Sequence, residues 1–109
     1  MIRVEYIDLD EIVEADNNPK DHDLGQIYQS INRFGFNNPI ILNDANGKLL
    51  VGHGRLQALK MIRDAGEDAP DRIVVEEGCW QVPVIKGVNI DNPAEAQAYL
   101  LADNRLTEL

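Results

Sequence analysis

Residues 48–60 read Lys-Leu-Leu-Val-Gly-His-Gly-Arg-Leu-Gln-Ala-Leu-Lys, and this stretch decides the fold. Its apolar start, Leu49 to Val51, predicts a β-strand, and the apolar spacing from Leu56 onward predicts an amphipathic helix. The residues Gly52-His53-Gly54-Arg55 join the two without a spacer. A strand that leads through glycine directly into a helix indicates a domain in which helices pack on a sheet.

The same junction has the outline of a phosphate site. Glycine lets the backbone approach a bulky anion, and the first-turn amides of a helix lack intrahelical acceptors and lie at the positive end of its dipole. The guanidinium of Arg55 adds a planar set of donors that suits phosphate oxygens. The alternative interpretation is structural: the glycines serve the turn, and Arg55 points into water. These residues alone leave both interpretations open.

The residues before this stretch predict a strand, a short helical turn and a helix. Apolar and polar residues alternate at 2–7, which is typical of a strand, and the polar run at 16–20 indicates a loop. The helix should begin after a capping residue, Asp21 or Asp23, and end at Gly35. Its apolar stripe at helical spacing consists of Leu24, Ile27, Ile31 and Phe34.

Residues 39–51 predict a hairpin whose two strands are joined by a turn at 44–47 that ends in Asn-Gly. The glycines follow directly after the second strand of this hairpin. The helix that follows should end at Gly66, which is placed as a C-terminal cap. The side chains expected to be buried on this helix are Leu56, Leu59 and Ile62, with Ala58, Met61 and Ala65 alongside.

The C-terminal part predicts two more strands, at 73–75 and 81–85, and a third helix over about 93–103, capped by Asp91 or Asn92. Short strands interleaved with helices predict an α+β, or mixed α/β, fold. We expect a small, twisted, mixed sheet with about three packed helices.

Size and charge restrict the function. The 109 residues, 44% of them apolar, suffice for one domain that spans 1–109. Because the sequence still looks amphipathic at Leu109, we expect a fragment of a longer protein. The net charge of −9 argues against broad binding to the DNA backbone. We therefore expect any DNA contact to come from a fused or partner domain.

The single cysteine excludes an internal disulfide and, with two histidines, a zinc site of the usual spacing. We expect Cys79 to be a small buried residue beside Trp80. No signal pattern and no apolar run of about 18 residues is present, so we expect a cytoplasmic protein without a membrane span. The acidic residues Asp8, Asp10, Glu11, Glu14 and Asp16 are interpreted as a solvated face.

Three blocks, in order, resemble the N-terminal domain of the ParB/sulfiredoxin superfamily. They are Gly35-Phe36-Asn37-Asn38-Pro39-Ile40, then Gly52-His53-Gly54-Arg55-Leu56-Gln57-Ala58, which is similar to the family's Gly-Glu-Arg-Arg-x-Arg-Ala, and Asp103-Asn104-Arg105, which approximates Glu-Asn-x-x-Arg. Residues 98–106 look particularly like the ParB-type nuclease domains attached to DNA methyltransferases and carried by phages and mobile elements. The likeness extends from Ile7 to Leu106.

This resemblance implies a bound nucleotide with Mg²⁺: CTP as in partition proteins, or ATP as in sulfiredoxins and free-serine kinases. By the same resemblance, Gly52, His53, Gly54 and Arg55 contact the phosphates, Gly35 and Asn38 line the base or ribose side, Asn104 and Arg105 contact the nucleotide, and Asp103 with Asn104 holds Mg²⁺. Gly54 and Gln57 stand where the family has basic residues, so the phosphate site carries less charge than in partition proteins. His53 stands where sulfiredoxins have their cysteine, which excludes sulfinic acid reduction at this block.

Histidine titrates near neutral pH, so His53 is the candidate catalytic residue, as general acid or base. The alternative is that it only hydrogen-bonds at the turn. Three functions stay open. The first is a nucleotide- or phosphate-binding module of a DNA-maintenance or DNA-modification protein. The second is an enzyme, either a nuclease or an ATP/ADP-dependent phosphotransferase, and the third is a ligand-free scaffold for docking or for a homodimer.

Overall fold

The computed structural model describes residues 1–15 and 23–107, and for 104–107 the backbone alone. The predicted loop at 16–20 and the alternative cap Asp21 lie outside the described residues. The elements in chain order are β1 (Arg3–Asp8), a 3₁₀ turn (Leu9–Glu11), α1 (Leu24–Phe34), β2 (Ile40–Asn43), β3 (Leu49–Val51), α2 (His53–Asp64), β4 (Val74–Glu76), β5 (Cys79–Val88) and α3 (Pro93–Thr107). The predicted α+β fold is confirmed.

The strands form one mixed sheet in the order β1-β5-β2-β3, with β4 paired to the start of β5. β5 is the central strand and is antiparallel to β1 and β4 but parallel to β2. Pro83, which has no N–H to donate, lies after the last residue paired with β4, Gln81, and before the first residue paired with β2, Val84. The proline therefore falls where β5 passes from one neighbour to the next, which costs no ladder bond on that side.

Side-chain caps fix where two helices begin. The carboxylate of Asp23 accepts a hydrogen bond from the amide of Gln26 at 3.2 Å, and the side-chain oxygen of Asn92 accepts one from the amide of Ala94 at 2.8 Å. Each satisfies a first-turn amide, as an N-cap does. α3 continues to Thr107, beyond the predicted end near 103, because neither glycine nor proline interrupts it.

The main core lies between one face of the sheet and the helices α1 and α2. Leu56, Leu59 and Ile62 of α2 are fully buried against the sheet, as expected. Met61 and Ala65 do not lie alongside them: both are exposed. At about 100° per residue they point away from the stripe that the other three residues define.

The acidic N-terminal segment is not merely solvated, because it runs along α2. Asp10 forms an ion pair with Arg63, and the side-chain amide of Gln57 donates to the carboxylate of Glu14 at 3.1 Å. The carbonyl of Val13 accepts a hydrogen bond from the amide of Leu49 at 2.7 Å. The segment thus connects the start of β3 with the surface of α2.

Candidate functional site

The start of α2 presents amide groups without intrahelical acceptors. Gly52 precedes the helix in a left-handed conformation, with φ 102° and ψ 28°, and offers no side-chain cap. The amide of Leu56 donates to the carbonyl of Gly52 at 2.9 Å and makes the first helical bond. The amides of His53, Gly54 and Arg55 come before it and have no acceptor within the helix. Such a helix start favours an anion.

This helix start forms one wall of a cleft of about 450 Å³. α1, the loop after it and α3 supply the other walls. The lining residues are Gln26, Ile27, Ser30, Ile31, Phe34, Gly35, Phe36, Asn37, Asn38, Gly52, His53, Gly54, Arg55 and Asp103. Blocks that are up to 68 residues apart in the chain therefore meet at one place, since Gly35 and Asp103 both line it. The structure brings together every predicted site residue whose side chain it describes.

The guanidinium of Arg55 lies within the cleft wall. Its Nη1 donates to the carbonyl of Pro39 at 3.5 Å, and the residue is half-buried. Burial lowers the pKa of Arg55, while the negative charge of Asp103 acts in the opposite direction. Arginine remains protonated under such conditions. A partly desolvated cation next to the start of a helix interacts strongly with an anion, because water screens it less.

His53 is 1% exposed, although it lines the cleft. Its Nε2 accepts a hydrogen bond from the amide of Ala15 at 3.2 Å. A ring nitrogen that accepts a hydrogen bond carries no proton, so the neutral ring has its proton on Nδ1. The imidazole therefore links the N-terminal segment to the start of α2, and its catalytic role stays a prediction.

The third block lies on α3, whose backbone passes the cleft. Asp103 lines the cleft beside Arg55. Asn104 and Arg105 belong to the same helix, but their side chains lie outside the described part of the chain. Among the described residues, no three His, Cys, Asp or Glu side chains come together as a metal site would require. Asp103 alone could add a carboxylate to a metal held mainly by a phosphate ligand and water.

The loop after α1 is held in place by a neighbouring loop. Gly35 has φ 94°, and the guanidinium of Arg72 donates to the carbonyl of Phe34 at 2.9 Å. The amide of Phe36 donates to the carbonyl of Asp71 at 3.0 Å. The positive φ of Gly35 strains any L side chain, and an added Cβ would lie 2.9 Å from Asp71 Cβ, so the position favours glycine. Gly35 thus shapes the rim of the cleft, with Arg72 as a support that the sequence did not indicate.

The sequence also did not indicate that α1 forms a wall of the cleft. Phe34 belongs to the predicted apolar stripe, but its ring is 57% exposed and lies at the cleft. Phe36, two residues later, is buried instead. The guanidinium of Arg33 lies 4.8 Å from the centre of the Phe34 ring. Gly35, with its positive φ, ends the helix between the two aromatic residues, so Phe36 leaves the direction of the helical stripe to which Phe34 belongs.

The expectation that Cys79 is buried is wrong, because its thiol is exposed near the start of β5. A hydrogen bond to Asp8 and the charge of that carboxylate raise the pKa of the Cys79 thiol. Trp80 takes the buried position instead. On a strand, neighbouring side chains point to opposite faces, so only one of the two can enter the core. Cys79 does not line the cleft.

The fold and the cleft define a small α+β domain that gathers a glycine-led helix start, an arginine and a supporting loop at one open site. No family model matches the chain. The chain is 31% identical over 65 residues to the ParB-like nuclease domain-containing protein YnaK of Escherichia coli (strain K12), a match that covers 57% of this chain and 74% of that protein. The chain belongs to the ParB-like domain family, of the ParB/sulfiredoxin type.

A solved structure described as a Pnob8-like ParB-N domain has the same fold. It superposes with a TM-score of 0.67 at 18% identity and covers the whole of this chain. The chain spans 40% of that solved chain. Of the described helices, none is long and apolar enough to cross a membrane.

Proposed function

We propose that this ParB-like domain binds a nucleotide, as a module of a DNA-maintenance or DNA-modification protein. The observation that carries the proposal is the cleft, in which the first-turn amides of α2 and the guanidinium of Arg55 meet. Amides at the positive end of a helix and a planar cation suit phosphate oxygens. The cleft volume of about 450 Å³ lies within the range of small-molecule sites.

The walls of the cleft suggest the orientation of the nucleotide. The phosphates belong at α2, because the donors lie there. The base belongs at the wall formed by the end of α1 and the loop after it, where the exposed Phe34 offers an apolar surface and Gly35 and Asn38 also line the cleft. Aromatic rings and bases stack through their π-faces, so Phe34 would tolerate different bases. Selectivity between CTP and ATP would then depend on polar groups of the loop, such as Asn38.

The acidic residue in the cleft supports a role for Mg²⁺. Asp103 would repel a phosphate chain, and a divalent cation between them would reverse that effect. Mg²⁺ is usually bound by one or two carboxylates together with phosphate oxygens and water. Asp103 fits this role as a single carboxylate, with Asn104 one residue further along α3.

The burial of His53 favours a binding function over an enzymatic one. A general acid or base must reach the proton that it transfers. The imidazole is 1% exposed and its Nε2 already accepts the amide of Ala15. We propose that His53 holds the start of α2 in its binding geometry. A nuclease or phosphotransferase activity would need another residue of the cleft to activate the nucleophile.

The direct test is calorimetric titration of the chain with CTP and with ATP, each with Mg²⁺. We expect Arg55→Ala to weaken binding of the preferred nucleotide by about tenfold or more, because a charge-assisted contact to phosphate is lost. Arg55→Lys should recover only part of the affinity, since an ammonium lacks the planar fork. Lys60→Ala is the matched control, because it removes a cation of the same helix that does not line the cleft.

Two results would contradict the proposal. One is the absence of binding by either nucleotide to the folded wild-type chain. The other is an equal loss of affinity in the Arg55→Ala and Lys60→Ala variants, which would mean that only overall charge matters. Phe34→Ala adds a second readout: if the base stacks on this ring, the variant loses affinity for nucleotide but not for inorganic triphosphate.

A further inference from the structure

β1 forms an edge of the sheet. In the described residues it pairs with β5 on one side, and no strand pairs with its other side. Such an edge presents a row of N–H and C=O groups that another strand can join. Two apolar residues of β1 lie on the same face of the sheet and are exposed to solvent: Val4 is 56% exposed and Tyr6 is 52% exposed. This edge therefore combines available backbone groups with apolar side chains.

Proline in the neighbouring strand shows which backbone groups face outward. Tyr6 lies opposite Pro83 in the antiparallel ladder, and Val4 lies opposite Ile85. Pro83 has no N–H, so this pair cannot exchange two hydrogen bonds. Hydrogen-bonded and non-hydrogen-bonded pairs alternate along an antiparallel ladder. The N–H and C=O groups of Val4 and Tyr6 therefore point away from β5, toward the edge.

The sequence of β1 is complementary to itself in one antiparallel register. When two copies pair about Val4, Arg3 lies opposite Glu5 of the second copy, and Ile2 lies opposite Tyr6. A shift of two residues in one direction places Arg3 opposite Arg3, and in the other direction Glu5 opposite Glu5. Opposite charges across a ladder stabilise it and like charges destabilise it. A shift of one residue would turn the outward backbone groups away from their partners.

The ion pair inside β1 shows that the two charges lie on the same face. Arg3 Nε lies 2.6 Å from Glu5 Oε2, and both side chains are about half exposed. In the register about Val4, Arg3 and Glu5 form non-hydrogen-bonded pairs, in which side chains come closest. The two intrastrand ion pairs, one in each copy, can then be exchanged for two ion pairs between the strands.

We propose that β1 is a self-association surface, by which two copies of this chain join their sheets through antiparallel β1–β1 pairing centred on Val4. The interface consists of one short strand from each copy, so its area is small and the dimer is weak and concentration-dependent. The cleft is not part of this surface, since none of its lining residues belongs to β1. The pairing thus does not depend on nucleotide binding.

Sedimentation velocity from micromolar to millimolar concentrations tests the pairing. We expect a reversible dimer of the wild-type chain. Arg3→Glu alone and Glu5→Arg alone each place like charges across the two-fold axis, and each should raise the dissociation constant by about tenfold or more. An equimolar mixture of the two variants restores opposite charges at every position and should recover the dimer. Asp68→Arg, in an exposed loop, is the control for a change of net charge.

Val4→Pro tests the backbone contact. The N–H of Val4 faces the edge, so proline leaves the pairing with β5 intact while it removes a donor from the proposed interface. This variant should keep the wild-type circular dichroism spectrum and sediment as a monomer. A wild-type chain that stays monomeric at millimolar concentration would overturn the proposal. So would a mixture of the two charge variants that associates no better than either alone.

Discussion

At the scale of single residues, Gly52 meets two separate requirements. Its φ of 102° is a conformation that L side chains rarely adopt, and a Cβ there would lie 2.4 Å from Ile40 Cγ2. The first requirement concerns the backbone alone, whereas the second concerns packing of the α2 start against β2. The glycine thus sets both the direction and the depth of the helix start that faces the cleft.

We predict that Gly52→Ala lowers the free energy of unfolding by about 2–4 kcal/mol, because strain and overlap add. Gly66→Ala is the matched control: it has φ 77° and nothing within 4 Å of the added Cβ, so it should cost about 1 kcal/mol. Urea denaturation followed by the fluorescence of the buried Trp80 measures both. Equal losses would mean that Ile40 moves aside without cost.

Asp103 allows the role of Mg²⁺ to be separated from that of simple charge. With Mg²⁺ present, Asp103→Asn should weaken nucleotide binding by about tenfold, since a carboxylate ligand is lost. With EDTA present, the same variant should bind the nucleotide more tightly than wild type, because a negative charge near the phosphates has been removed. Calorimetry in both buffers gives the two values. A variant that binds more tightly in both would show that Asp103 only repels the ligand.

At the scale of elements, Asn43 connects the hairpin to the entry of α3. Its side-chain oxygen accepts hydrogen bonds from the amides of Ala45 and Ile90, and its side-chain nitrogen donates to the carbonyl of Ile90. The residue is 2% exposed. One amide thus fixes the β2–β3 turn and the segment that leads to α3, the helix that carries Asp103.

Asn43→Ala should lower the free energy of unfolding by about 2–4 kcal/mol, because it removes a buried side chain and leaves the partly buried backbone groups of Ile90 without these partners. Asn46→Ala removes one hydrogen bond, from the amide of Lys48, at an exposed position of the same turn. That control should cost less than about 1 kcal/mol. Chemical denaturation of both variants provides the comparison. A loss no larger than that of the control would show that water replaces the buried contacts.

The element pattern could be predicted from the sequence because it depends on local chemistry. Helical spacing located α1 and α2, and Pro93, after a cap predicted at Asp91 or Asn92, located the start of α3. The strand-to-helix junction at Gly52 predicted the phosphate side of the cleft, whereas the place of Gly35 in it was implied by the resemblance; both glycines have a positive φ. The contact of Ala15 with His53 and that of Arg72 with Phe34 could not be predicted. Each joins residues 38 apart in the chain, a separation over which side-chain spacing carries no information.

A hydrogen bond of Tyr28 connects α1 to the segment after α2. The hydroxyl of Tyr28 donates to the carboxylate of Glu67, and Asn32 donates to the same oxygen at 3.5 Å. The hydrogen bond to Glu67, then burial and then the negative charge of Glu67 raise the pKa of Tyr28 above its ordinary 10.0. The folded state therefore holds this proton more tightly than the unfolded state. Its contribution to stability is complete below that ordinary value and is lost as the pH rises through the raised pKa.

Thermal unfolding from about pH 8 to about pH 11.5 should thus show a loss of stability at the alkaline end that Tyr28→Phe reduces. Tyr99→Phe, at an exposed position on α3, is the control and should keep the wild-type pH profile. The difference between the two profiles isolates the contact between α1 and Glu67. Identical profiles for all three proteins would show that the contact does not persist in solution.

At the scale of the whole molecule, the charge distribution is unfavourable for binding to the DNA backbone. The chain has 19 acidic and 10 basic residues. α2 carries the cations Arg55, Lys60 and Arg63. Arg63 forms ion pairs with Asp10 and Asp64, and Arg55 lies in the cleft wall. Most of the positive charge of α2 therefore lies in the cleft wall or in ion pairs with carboxylates.

We therefore predict that the chain alone does not bind duplex DNA at about 0.15 M salt, because backbone binding requires several cations that neutralise neighbouring phosphates. Fluorescence anisotropy of a labelled duplex should stay flat as the chain is added, even at lower salt. Nucleotide binding to the same preparation shows that the cleft is intact. An anisotropy that rises as the chain is added, and rises less at higher salt, would contradict the prediction. If Arg55→Ala abolished that rise, the cleft itself would contact DNA phosphates, and the nucleotide would have to compete with DNA for the start of α2.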